Sequence, residues 1–186
     1  MQGIQDFQSF FDCCVGDWIS ERTYHYLSHQ EIERSRTTFR VDPISLDLKQ
    51  KVLADNHYEY EAPEALESLP GFRLGFHTVS EAGEEVSQEL RMLFIPQEDS
   101  AGVLAGDYLR DRAYEEERPI ISRFRYTLTS RELLMTTRYT KVVSVDSITL
   151  VNPTLRVRRI LNYQRPAADG PLETLLLAGF GVEQKG

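Results

Sequence analysis

With 186 residues, 41% of them hydrophobic and 27% charged, the chain has the size and make-up of one well-cored soluble domain. A net charge of −8 excludes broad nucleic-acid binding, which needs a field of Lys and Arg to displace counterions. Aromatic residues run along the whole length, so no part reads as disordered.

The chain opens on a helix, about residues 4–15. Ile4, Phe7, Phe10, Phe11 and Cys14 recur at spacings of three and four, an apolar stripe that Gly16 is placed to end. Trp18 to Leu27 reads as a strand with Trp18, Ser20, Arg22, Tyr24 and Tyr26 on one face. A charged turn at Glu31 to Arg34 and a strand from Ser35 to Val41 follow. Residues 43–70 read as a long loop with one short helix, a solvated connector or a lid. From Gly71 the expected strands are Phe72 to Val79, Val86 to Ile95, Tyr108 to Tyr114, Ile120 to Leu128, Leu133 to Val145, Ser147 to Val151, Leu155 to Tyr163 and Leu172 to Val182. One helix and nine or ten short strands with short turns spell a single all-β domain, 1–186, as an antiparallel barrel, with a two-sheet sandwich second. A closed sheet has no edges and can enclose one small ligand.

Motif searches narrow the chemistry by elimination. No dinucleotide, P-loop, zinc-protease or serine-hydrolase signature occurs. His25 and His29 are too far apart on a strand to share a metal, and adjacent Cys13 and Cys14 can neither bridge each other nor form a metal pattern, so no metal is expected. Residues 1–10 lack the basic start and apolar core of a signal peptide, and no span is long enough for a membrane, so an intracellular, reduced protein is expected. Lys occurs only at 49, 51, 141 and 185, the other basic residues being Arg. Arg grips carboxylates bidentately, which suits an anionic ligand, although genome composition explains the same bias. Arg22, the pair Arg123 and Arg125, and the pair Arg156 and Arg158 each share a strand face. Turned inward they would need carboxylate partners, which a ligand could supply; turned outward they are ordinary solvated charges. Alternation alone leaves both open, and a fatty-acid-like lipophilic anion would satisfy such a barrel.

Three blocks resemble the S-type phycobiliprotein chromophore lyases. Phe10 to Leu27 reads Phe-Phe-Asp-Cys-Cys-Val-Gly-Asp-Trp-Ile-Ser-Glu-Arg-Thr-Tyr-His-Tyr-Leu, similar to a family opening of double Phe, Gly-x-Trp and Ser-Gln-Arg-Thr. Tyr108 to Phe124 and Asn152 to Arg158 are similar to the family's Leu-Leu-Arg…Gly-Arg-Phe and Pro-Asn-Leu-Arg-Leu-Arg runs. The resemblance implies a ten-stranded antiparallel calycin barrel, lipocalin-like and akin to fatty-acid-binding proteins, with a helix across one end. It implies an enzyme that binds an open-chain tetrapyrrole (bilin) and promotes its thioether attachment to a cysteine of a phycobiliprotein apo-subunit, with a non-catalytic bilin carrier as the alternative. The bilin, of phycocyanobilin or phycoerythrobilin type, is a transient substrate and no cofactor stays bound. A homodimer is allowed for, in a cyanobacterial cytoplasm or a plastid stroma. Arg22, Arg123, Arg156 and Arg158 are the expected contacts to propionates or lactam oxygens, and Trp18, Phe76 and Tyr139 those to the pyrrole rings. Arg22 and Asp146 are expected to act in catalysis. This is a divergent member: Thr136 to Lys141 lacks the family's usual acids, Asp146 stands where a Glu-Arg pair is common, and Phe76 replaces a usual Trp.

Overall fold

The apolar stripe at the N-terminus does form a helix, and the strand alternation beyond it closes on itself. In the computed structural model, which describes residues 2–113, 116–168 and 170–186, α1 spans Gln2–Cys14 and ten strands follow. They are β1 (Gly16–Tyr26), β2 (Glu31–Pro43), β3 (Gly71–Ser80), β4 (Glu85–Ser100), β5 (Val103–Arg110), β6 (Ile120–Thr127), β7 (Glu132–Arg138), β8 (Val142–Asn152), β9 (Leu155–Gln164) and β10 (Leu175–Lys185). Each strand pairs antiparallel with its neighbour in sequence, and β1 pairs with β10 to complete the barrel. A closed barrel leaves no backbone edge to satisfy, and this disposes of the sandwich alternative.

Helix α1 lies across one end. Phe7, Phe10, Phe11 and Cys14 are buried against Phe72, Phe94, Phe124 and Tyr126, while Ile4, at the outer end of the stripe, stays exposed. Phe7 stacks on Phe124 at 5.1 Å between ring centroids and Phe11 on Phe72 at 4.6 Å. Each such buried ring stabilises by roughly 1.5–3 kcal/mol, which is what docks a short helix too weak to persist alone.

Residues 43–70 are more structured than a connector. Helix α2 (Leu46–Asp55) and a 3₁₀ turn (Pro63–Ser68) pack a second apolar cluster, Val52, Leu53 and Leu66, on Leu93, Ile95 and Leu109 of the outer faces of β4 and β5. Buried Lys49 donates from Nζ to the carbonyls of Glu67 at 2.6 Å and Leu69 at 2.7 Å, tying the 3₁₀ turn to α2.

Strand boundaries depart from expectation where turn chemistry is unusual. The first hairpin turns at 27–30, with Gln30 at φ 57°, so Glu31 to Arg34 belongs to β2. The strand expected from Tyr108 to Tyr114 lies instead at Val103–Arg110. Gly106 and Asp107 in that run are weak strand formers, and Tyr114 falls outside the described residues. The run from Leu133 to Val145 folds back at 139–141, where Tyr139 N donates to Val142 O at 2.9 Å and neither Gly nor Pro marks the turn. Asp146, the break between the two expected strands and a turn-favouring residue, therefore sits inside β8. The last strand begins and ends three residues later than expected, at Leu175–Lys185.

Candidate functional site

At the end of the barrel away from α1 the interior stays open as a cavity of about 450 Å³, within the usual range for small-molecule sites. Strand parity builds it. The β1 face of Trp18, Ser20, Arg22, Tyr24 and Tyr26 points inward: Trp18 and Ser20 are sealed near the helix, and Arg22, Tyr24 and Tyr26 line the cavity above them. β10 makes room for Tyr24 and Arg22. A Cβ at Gly179 would stand 2.7 Å from Tyr24 Cδ1, and one at Gly181 would stand 3.2 Å from Arg22 Cγ. Glycine is required at 179 for Tyr24 to lie across the strand, and at 181 it spares Arg22 a tight contact.

Below the cavity floor lies a closed charge cluster. Glu183, with no exposed surface, receives Arg156 Nε at 2.5 Å and Arg22 Nη2 at 3.4 Å. Burial pushes the Glu183 carboxyl up, but Arg156, Arg158 and Arg22 pull harder and hold it below the usual carboxylate range. The Arg156 guanidinium lies 4.6 Å from the Trp18 ring centroid and 5.0 Å from that of Phe39, and Trp18 Nε1 donates to Cys14 O at 2.8 Å. Trp18 and Arg156, expected to touch ligand, are thus core: ring stacking and an ion pair already use them, and neither lines the cavity.

Within the cavity, Arg158 Nη2 meets Asp146 Oδ2 at 3.2 Å. Asp146 Oδ1 and Arg158 Nε make no hydrogen bond among the described residues. On another wall, Arg110 Nη2 donates to Thr137 Oγ1 and Tyr139 Oη, both at 3.1 Å. Its guanidinium lies 5.2 Å from the Tyr108 ring centroid and 5.8 Å from that of Tyr139. Burial pushes the Tyr108 phenol up, which keeps it neutral. Phe76 and Leu74 supply apolar wall on the β3 side.

Of the expected site residues, the structure therefore brings Arg22, Phe76, Tyr139, Asp146 and Arg158 to one cavity. Arg123 is a correction. It lies on the outer face of β6, half exposed, donating to Asp107 Oδ1 at 2.9 Å and Gln97 Oε1 at 2.7 Å, and its neighbour Arg125 is outward too. The alternation there is simply apolar-in, polar-out, with Phe124 and Tyr126 inside. Reasoning from sequence missed Arg110, Tyr24 and Glu183. Parity with Tyr108 would have turned Arg110 inward, and a last strand three residues longer would have included Glu183 opposite Arg156.

A closed antiparallel barrel with a helix across one end and a charged pocket at the other defines a calycin-like fold with room for one small ligand. The chain belongs to the CpeS-like protein family, whose model matches residues 6–185. It is 57% identical over 185 residues to chromophore lyase CpcS/CpeS 1 of Synechococcus sp. (strain JA-3-3Ab), covering 100% of this chain and 99% of that protein. The phycocyanobilin lyase subunit CpcS of Picosynechococcus sp. (strain ATCC 27264 / PCC 7002 / PR-6) is 24% identical over 165 residues, 85% of this chain and 78% of that one. Among solved structures, the S-type phycobiliprotein lyase CPES from Guillardia theta superposes with a TM-score of 0.76 at 17% identity, covering 97% of this chain and 92% of that one, a likeness of fold.

Proposed function

We infer that the chain is a phycobiliprotein chromophore lyase: it holds a bilin in the barrel and delivers it to a cysteine of a phycobiliprotein apo-subunit. Family membership and the 57% identical lyase carry the activity. The single structural observation that supports it is the open cavity lined by the part-exposed Asp146–Arg158 pair, with Arg22 on a neighbouring wall. A carboxylate there can accept from pyrrole N–H groups and favour the protonated, electrophilic bilin, while Arg22 and Arg158 attract its acidic side chains. Addition of a thiol across a carbon–carbon double bond forms one C–S bond and leaves the thiol proton on the tetrapyrrole. No oxidant and no nucleophile of the lyase's own are required. The barrel's contribution is to hold the chain extended, exclude side reactions and present one end at the mouth.

The phycocyanobilin lyase subunit among the relatives supports a bilin of phycocyanobilin type over phycoerythrobilin, and the cyanobacterial relatives support a cyanobacterial cytoplasm as the setting. The test is to mix the protein with phycocyanobilin and candidate apo-subunits, then separate under denaturing conditions. A subunit that stays coloured is expected, and Asp146→Asn is expected to slow its formation on the order of a hundredfold. Bilin bound with no coloured subunit from any pairing would reduce the protein to a carrier.

A further inference from the structure

We propose that Arg110 is a second carboxylate seat in the cavity, so that the site is built for a dianionic ligand gripped on two opposed walls. The inference rests on the bilin reading above and deepens it. Three of the four inward arginines have a carboxylate partner: Arg22 and Arg156 share Glu183, and Arg158 has Asp146. Arg110 has no carboxylate in ion-pair contact among the described residues; the acid acting on it, Asp146, does so only through space and is already engaged by Arg158. Arg110 is 8% exposed, its Nη2 bonds only neutral hydroxyls, its Nη1 bonds nothing among the described residues, and its Nε is buried without a partner. A guanidinium cannot shed its proton, so the charge persists where desolvation makes it costly. Two tyrosine rings beside it soften that cost without neutralising it.

The interior charge count points the same way. Among the described residues below the mouth, four guanidinium groups, of Arg22, Arg110, Arg156 and Arg158, face two carboxylates, of Asp146 and Glu183, an excess of two positive charges at that depth. Glu33 and Glu84 line the mouth of the same cavity, Glu33 half-buried and accepting from Tyr26 Oη at 3.5 Å and Glu84 exposed. The excess is also divided. Arg110 is on β5 and Arg22 on β1, with three strands between them one way round the barrel and five the other. A ligand with two acid groups on separate arms matches this arrangement; a single-headed fatty acid would neutralise one pole and leave the other bare. Bilins carry two propionates on their central rings, so the seat assigns the second propionate to Arg110 and fixes which way the chain lies in the barrel.

The experiment titrates phycocyanobilin and its dimethyl ester into the parent, Arg110→Gln and Arg110→Lys proteins, following the visible band. Circular dichroism of each variant checks the fold. Arg110→Gln is expected to weaken the diacid by about tenfold to a hundredfold, the range of one charge-assisted hydrogen bond, and to leave the ester's affinity unchanged. Arg110→Lys keeps the charge but not the planar fork, so it should weaken the diacid several-fold and again spare the ester. It carries the test alone if the Gln variant does not fold. Unchanged diacid binding in the variants, or equal losses for diacid and ester, would overturn the second seat while the bilin reading stands. No band change with parent protein and either ligand at micromolar concentration would overturn the bilin reading and the seat with it.

Discussion

Glu183→Gln is the substitution that most directly probes the floor of the barrel. The carboxylate is fully buried and is the ion-pair partner of Arg156, whose side chain is 5% exposed, and of Arg22, 13% exposed. Removing its charge leaves Arg156 with no anion in contact while its volume stays filled, so no cavity term enters. Breaking a buried pair from one side costs about 3–5 kcal/mol, because the surviving charge remains desolvated. For a chain of this length that corresponds to a fall in Tm of roughly 6–20 °C. The assay is urea unfolding followed by fluorescence of Trp18, the only tryptophan, which sits against the Arg156 guanidinium and reports the floor itself. A companion variant, Arg156→Met with Glu183→Leu, removes both charges and should recover most of the loss. A Glu183→Gln protein within about 1 kcal/mol of the parent would refute the view that this carboxylate holds the floor together.

The remaining tests follow from the same geometry. Arg156→Ala should destabilise the fold by a similar amount, whereas Arg22→Ala, whose contact to Glu183 is longer, should leave the melt nearly in place and weaken bilin titration; the reverse ranking would contradict the assignment of floor and cavity. Because the Glu183 carboxyl is held below its unfolded value, its stabilisation is present above roughly pH 4.5 and fades as pH falls through the folded value. Acid unfolding of Glu183→Gln should lack that component, and identical acid curves would count against it. Burial pushes the Cys14 thiol up, opposed in part by Arg156, so alkylating reagents should label half-exposed Cys13 and spare Cys14 in the folded protein. Transfer should survive Cys13→Ser with Cys14→Ala; its loss in a folded variant would implicate a lyase thiol.

How much of this was legible depended on whether the deciding interaction is local. The helix stripe at Phe7, Phe10, Phe11 and Cys14 is local, and it docks as its spacing dictates. The inward β1 face of Trp18 to Tyr26 was legible as a face, yet its direction was not: an Arg among tyrosines reads equally as solvated. What settles it lies far along the chain, in Gly179 and Gly181 on the paired strand and in Glu183 two residues on. The turn at Gly83 was legible, but the one at Ala101 and Gly102 was not, Asp146 lies inside β8, and at 139–141 the chain reverses through Tyr-Thr-Lys with no Gly or Pro to mark it.

The two arginine pairs make the point sharply, because they carry the same local pattern and opposite outcomes. Arg123 and Arg125 alternate with Phe124 and Tyr126, and the apolar residues go inside. Arg156 and Arg158 alternate with Leu155 and Val157, and there the order inverts: Arg156 is buried and Val157 is 41% exposed. The inversion continues on the neighbouring strand, where Val182 stands opposite Val157 on the outer face at 52% exposure while Glu183 is sealed inside opposite Arg156. Two adjacent strands that put valines in solvent and an ion pair in the core forgo hydrophobic burial on both counts. Hydrophobic burial alone does not account for such a sequence: local rules fail together at the floor, where Glu183 also holds Arg22, the one member of the cluster that lines the cavity.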